Sequence, residues 1–176
     1  MPLVAFTSAQ PVTAAQLNLL QPIYVPKPSN QSVNNSSVLV NDTALFVALQ
    51  ANQTYQVDAF ILASHQNTTA TLPQLRSAWT LSLTGTSPGR FVSGSTDGVG
   101  SFTSWSQHQS QDRFFVIGTN NLNVLDVNAN LIRETVIVAA GNSGTTLQYQ
   151  FAQFTVNAAN SVSVLASSFL VARCIA

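Results

Sequence analysis

From about Ser32 to the C-terminus the hydrophobic residues of this chain recur with a period of two. Leu45, Val47 and Leu49 alternate with Phe46, Ala48 and Gln50. Tyr55, Val57, Ala59 and Ile61 alternate with Gln56, Asp58, Phe60 and Leu62. Side chains on a strand point to opposite faces in turn, so this pattern excludes a helical fold for most of the chain. The apolar residues on both faces of 55–62 predict an inner strand covered on both sides. The join "QANQ" is a turn signal and predicts a hairpin between the two runs.

The same reading continues downstream. "SAWTLSLTG" predicts a strand ended by Gly85, and "TSPGRFVSGSTDGVGS" predicts loops around a short strand. "SFTSWSQ", "RFFVIGT" and the end of "NLNVLDVNANLIRETVIVAAG" are further strands. Leu147, Tyr149 and Phe151 alternate with glutamines, and "SSFLVARCIA" runs apolar to the end. An exposed apolar terminus would make an aggregating edge, so Phe169, Leu170, Val171 and Ile175 are expected to be buried on a central strand. About nine or ten short strands with turn residues between them, and no internal repeat, predict an all-β fold: a β-sandwich of the jelly-roll kind.

One stretch departs from this period. "PVTAAQLNLLQP" reads as a helix with Thr13 as N-cap and Gln16 at the capping-box position, followed by Ala14, Ala15, Leu17 and Leu20 as helix formers. Pro22 ends it. "YVPKPSNQ" then reads as an extended linker stiffened by Pro26 and Pro28. The chain is therefore expected to divide into an arm, residues 1–28, and a jelly-roll domain, residues 29–176. So short a helix is not stable alone and must dock on its own domain or on a neighbour.

Only 7% of residues are charged, and the net charge is zero. Soluble domains carry about 25%. A surface of Ser, Thr, Asn and Gln costs less to desolvate against other subunits than a charged one. Zero net charge gives no attraction to nucleic acid or to acidic membranes. No apolar run approaches the roughly 18 residues of a membrane span. "MPLVAFTSAQ" lacks the basic and long apolar regions of a signal peptide, so synthesis in a cytoplasm is expected. Cys174 is the single cysteine, so no intrachain disulfide is expected.

Few side chains carry chemistry. His65 and His108 read as surface residues, and no metal-ligand, P-loop or nucleophile motif is present. No cofactor and no enzymatic activity are expected. Cys174 lies in the apolar terminal strand and reads as a buried, inert thiol. Asp97 and Asp112 lack calcium-loop spacing. Phe102, Trp105, Phe114 and Phe115 read as core or interface residues, with a sugar-stacking platform as the alternative. Arg133 and Glu134 are adjacent on a strand and face opposite sides, so one of them is expected to enter a subunit interface.

Two segments resemble known families. "FTSAQPVTAAQLNLL" resembles the N-terminal attachment segment of bacteriophage tail-fibre and minor virion proteins, through Thr13, Ala14, Ala15, Leu17 and Asn18. "NDTALFVALQANQTYQVDAFIL", "LRSAWTLSLTG" and the last 36 residues resemble small actinobacteriophage structural proteins, through Ala51, Asn52, Tyr55, Trp79, Thr80, Ser168, Leu170, Ala172 and Arg173. The proline-glycine pair of that family after the Trp-Thr segment is delayed here.

The resemblance implies a virion structural protein, made in a host bacterial cytoplasm, with a trimeric jelly roll like those of the tumour-necrosis-factor and C1q type. Phe6, Thr13, Ala14, Ala15, Leu17 and Leu20 would attach it to the particle. Tyr55, Phe60, Tyr149, Phe151, Phe169 and Leu170 would form the oligomer interface or the core. The implied partner is the phage major capsid protein, for a capsid decoration or cement role. Tail proteins are the alternative partner, for a tail-fibre or minor tail protein that presents the jelly roll to a host glycan.

Overall fold

The computed structural model describes residues 11, 13–14, 21–65, 75–82, 89–95, 102–108, 112–115 and 130–176. For His65, Asn130 and residues 89–95, 102–108 and 112–115 it describes the backbone only. Twelve strands lie among these residues: β1 (Ile23–Pro26), β2 (Gln31–Asn34), β3 (Val40–Leu49), β4 (Thr54–His65), β5 (Leu75–Leu81), β6 (Gly89–Ser95), β7 (Phe102–His108), β8 (Asp112–Phe115), β9 (Asn130–Ala139), β10 (Thr145–Gln153), β11 (Ser161–Val164) and β12 (Phe169–Cys174). Gly85, expected to end a strand, lies outside the described residues.

The pairing follows one rule. β1 pairs with β12, β2 with β11, β3 with β10, β4 with β9, β5 with β8 and β6 with β7, all antiparallel. The chain is thus one long antiparallel ribbon with the β6–β7 hairpin at its tip. Further pairings of β4 with β11 and β12, of β10 with β5, and of β6 with β9 roll the ribbon into two sheets. The large sheet runs β1-β12-β4-β9-β6-β7, with β11 and β2 continuing the line of β12 and β1, and the small sheet runs β3-β10-β5-β8. This is a β-sandwich wound as a jelly roll.

The roll corrects one sequence expectation. A turn does join β3 to β4 at Ala51–Asn52, with Asn52 at φ 58°. The two strands are not a hairpin, because β3 belongs to the small sheet and β4 to the large one. A turn signal marks a change of direction and says nothing of which sheet receives the next strand.

Alternation decides what lies between the sheets. Leu45, Val47 and Leu49 of β3, Tyr55, Val57, Ala59 and Ile61 of β4, and Leu147, Tyr149 and Phe151 of β10 all point inward and are buried. Trp79 meets Tyr149 edge-on, with ring centroids 5.1 Å apart. Each fully buried large side chain is worth about 1.5–3 kcal/mol. Glu134 also points inward, opposite to its neighbour Arg133. Its carboxylate accepts from Ser77 Oγ at 2.9 Å and from Trp79 Nε1 at 2.5 Å.

β12 lies between β1 and β4, so it is an interior strand, as its apolar run predicts. Leu170 and Ala172 are buried in the core, while Phe169 and Val171 lie half-buried on the opposite face. Ile175 departs from the expectation: it lies past the end of β12 and is exposed.

Residues 24–26, part of the stretch that reads as a linker, belong to the large sheet as part of β1. β1 is its edge strand, which is where Pro26 costs no ladder hydrogen bond. The Lys27 amide donates to Ser168 O at 2.8 Å, and its carbonyl accepts from Ser167 N at 3.1 Å. Its ammonium is buried against Asp42, 2.7 and 2.9 Å from the two carboxylate oxygens.

Candidate functional site

The inner faces of the two sheets cover each other, so each sheet presents one outer face, and the two differ. On the small sheet Thr80, Thr146, Gln148 and Gln150 point outward, with Phe46 as an exposed aromatic side chain among them. On the large sheet the outward residues of the central strands are Gln56, Asp58, Phe60 and Leu62 of β4, Phe169, Val171 and Arg173 of β12, and Leu131, Arg133, Thr135 and Ile137 of β9. Tyr24 of β1 lies beside Val171.

Aromatic rings form a row across three strands of that face. Phe60 and Phe169 are register partners, and their rings stack at 4.7 Å with 17° between planes. Tyr24 joins Phe169 at 5.4 Å, tilted by 44°. The Arg133 guanidinium lies over the other end of the row, 5.3 Å from the centre of the Phe60 ring. Such pairs contribute about 0.5–1.5 kcal/mol beyond simple burial. Tyr24 remains 61% exposed, and Leu131 and Ile137 are exposed alongside.

Next to the aromatic row sits a charged cluster. Asp58 is only 2% exposed. It accepts from Thr135 Oγ1 at 2.7 Å and Arg173 Nη1 at 2.7 Å, and from Gln56 Nε2 at 3.2 Å. Arg133 Nη2 lies 3.9 Å away. Two guanidiniums over one carboxylate leave the cluster a positive excess while it remains hydrogen-bonded. The result is a face of apolar rings and aliphatic side chains with an arginine-rich border, a composition met at the centres and rims of protein interfaces.

The residues singled out from sequence are distributed between two places. Tyr55, Tyr149, Phe151 and Leu170 are in the inter-sheet core, and Phe60 and Phe169 are on the outer face of the large sheet. Thr13 and Ala14 are exposed, and Ala14 has helical backbone. Phe6, Ala15, Leu17 and Leu20 lie outside the described residues. So do the side chains of His65, His108, Phe102, Trp105, Phe114, Phe115 and Asp112, and all of Asp97. Cys174 is half-buried, and its thiol donates to Gln53 Oε1 at 3.1 Å.

Sequence reasoning missed the Asp58 cluster and the Lys27–Asp42 pair. The available signal was a lone acid inside an apolar strand run and a lone lysine between two prolines. Neither reveals a partner far along the chain.

Among the described residues, no group of three or more His, Cys, Asp and Glu is placed to hold a metal ion. Among them no helix is long and apolar enough to cross a membrane. No protein-family model matches the sequence, and no curated protein matches it. Among solved structures, a chain from the structure of the infectious bursal disease virus Gx strain is similar, with 9% identity and a TM-score of 0.23 over 86% of this chain. The match spans 38% of that viral chain. Overlap at this level is too slight to transfer a function.

Proposed function

We propose that the chain is a non-enzymatic bacteriophage structural protein that works as a homotrimer in the virion. The observation that carries this reading is the outer face of the large sheet. Tyr24, Phe60 and Phe169 form a ring row there, with Leu131 and Ile137 beside it, on a sandwich whose core is already filled. Exposed apolar surface of this kind on a folded domain is covered in the working assembly. The trimer covers it with further copies of the chain. The low charge of the whole sequence supports burial against other subunits.

In this reading the segment before β1 attaches the trimer to the particle, through Phe6, Thr13, Ala14, Ala15, Leu17 and Leu20. The resemblance to phage attachment segments supports it. The trimer acts as a capsid decoration or cement protein bound to the major capsid protein. Interface added between neighbouring capsomers raises the barrier to bursting under the pressure of packaged DNA. The Thr-Ala-Ala-x-Leu-Asn motif favours a second reading, a tail-fibre or minor tail protein. Quantitative mass spectrometry of purified particles distinguishes the two: hundreds of copies mean capsid, a few to tens mean tail. Absence from particles overturns both.

A further inference from the structure

Lys27 is the only lysine of the chain, and every other permanently cationic side chain is an arginine. That lysine is sealed from water. Its side chain and that of Asp42 are both 0% exposed, whereas Arg133 and Arg173, beside Asp58, keep 54% and 51% of their side-chain surface. Where an ion pair is all that is needed, arginine is the better partner for a buried carboxylate, because its planar fork meets both oxygens. What a lysine adds is a nitrogen that can be acylated.

Both ends of the pair are held by the backbone. The Lys27 amide donates to Ser168 O at 2.8 Å, and its carbonyl accepts from Ser167 N at 3.1 Å. Asp42 lies in β3, where the register with β10 shifts between Gln148 and Gln150. Gln148 Nε2 fills that irregularity, donating to Asp42 O at 2.8 Å and Leu45 O at 3.3 Å.

The two carboxylate oxygens are consequently unlike. Oδ1 accepts from the amides of Ala44 at 2.9 Å and Leu45 at 3.0 Å, and from Lys27 Nζ at 2.9 Å. Oδ2 lies 2.7 Å from Nζ, its one hydrogen-bond donor among the described residues. A nitrogen this close to both oxygens lies about 3 Å from the carbon between them, within the range of a near-attack arrangement.

We propose that Lys27 and Asp42 condense after folding into an amide bond between their side chains. Nζ passes one proton to Oδ2, and its lone pair attacks Cγ. Oδ1 takes the displaced electron pair as an oxyanion, held by the Ala44 and Leu45 amides. Nζ passes a second proton to Oδ2, the Cγ–Oδ2 bond breaks, and water leaves with that electron pair. Oδ1 returns to a carbonyl, and Nζ keeps one hydrogen. No other acid, base or co-reactant is consumed. Two buried charges are costly even when they pair, and the neutral amide removes both. The sealed pocket excludes the bulk water that would hydrolyse the bond.

β1 is an edge strand of four residues. The amide joins its end to β3, in the other sheet. As a tether that carries load from the arm, this device rests on the virion reading above; the bond itself does not.

The test is intact-mass spectrometry of the full-length protein, incubated folded and then denatured. A mass below that of the sequence by one water is expected. An amine-acylating reagent applied in denaturant should then label the α-amino group alone, because the chain has no second lysine. Chymotryptic digestion should release a branched peptide that joins the segments carrying Lys27 and Asp42. Lys27→Arg keeps the cation and lacks the amine, so it should show its full sequence mass. A wild-type chain at full sequence mass whose lysine labels in denaturant overturns the proposal. So does a water loss that persists in Lys27→Arg. Particle membership is read separately from copy number. A chain that carries the bond but is absent from particles keeps the bond and loses the tether role, and a virion protein at full mass loses only the bond.

Discussion

The Lys27 ammonium lies 2.7 and 2.9 Å from the two carboxylate oxygens of Asp42, and both side chains are sealed from water. Asp42 Oδ1 also accepts from the amides of Ala44 and Leu45 at 2.9 and 3.0 Å. The pair ties the end of β1 to the start of β3, and so ties the edge of one sheet to the edge of the other. Lys27→Met leaves a buried carboxylate without its cation and should cost about 3–5 kcal/mol in urea denaturation. A lysine in a free linker would cost nothing measurable.

The same pair divides two truncations. Removing residues 1–21 leaves β1 and Lys27 in place, so the domain should melt as the full chain does, while attachment to particles is lost. Removing residues 1–28 strips β1 from β12 and orphans Asp42, and should lower stability by at least the cost of Lys27→Met. Melting curves and particle co-sedimentation check both. Full occupancy of particles by the shorter deletion would remove the attachment role from the arm.

Glu134 is the buried acceptor for Ser77 and Trp79. Glu134→Ala opens a cavity and removes this acceptor from both donors, for a loss of roughly 3 kcal/mol. Glu134→Gln keeps an acceptor for one donor and should lose less. Chemical denaturation monitored by circular dichroism separates them.

Gly144 has φ at +70°, and a Cβ placed there would lie 2.8 Å from the Leu49 carbonyl oxygen. Its amide closes the β9–β10 turn on Gly141 O at 3.1 Å. Gly144→Ala should cost about 1–2 kcal/mol, because both the backbone and the neighbouring carbonyl must shift. Gly141 has open space around it, so Gly141→Ala is expected to be close to neutral. Thermal denaturation of the two variants reads the contrast.

The strands with clean alternation were legible in the sequence: β3, β4 and β10 bury the residues that their period of two selects. β1 was not, because its prolines read as linker until the edge position that tolerates them is known. The jelly-roll crossing of β3 to β4 was hidden for another reason, since a turn does not encode the sheet that follows. Of the outer face, Phe60 and Phe169 were legible as apolar residues on the second face of their strands. Their stacking was not, because register between strands more than a hundred residues apart is a tertiary fact. The ends of the Asp58–Arg173 contact are likewise separated by 115 residues.

Phe169→Glu tests the outer face without touching the core. The side chain is half-buried on the water side of the large sheet, so the fold should survive with a loss of about 1–2 kcal/mol from the stacking on Phe60 and Tyr24. A charge in the centre of an apolar interface is far more costly, so self-association should fail. Circular dichroism and sedimentation velocity on one sample report the two effects together.

The central claim is that the wild-type chain is a trimer closed over that face. Light scattering on the full-length protein at micromolar concentration measures it directly. The account predicts a mass three times the 18.7 kDa of one chain. A mass of 18.7 kDa that persists as concentration rises, with the fold intact, would contradict it.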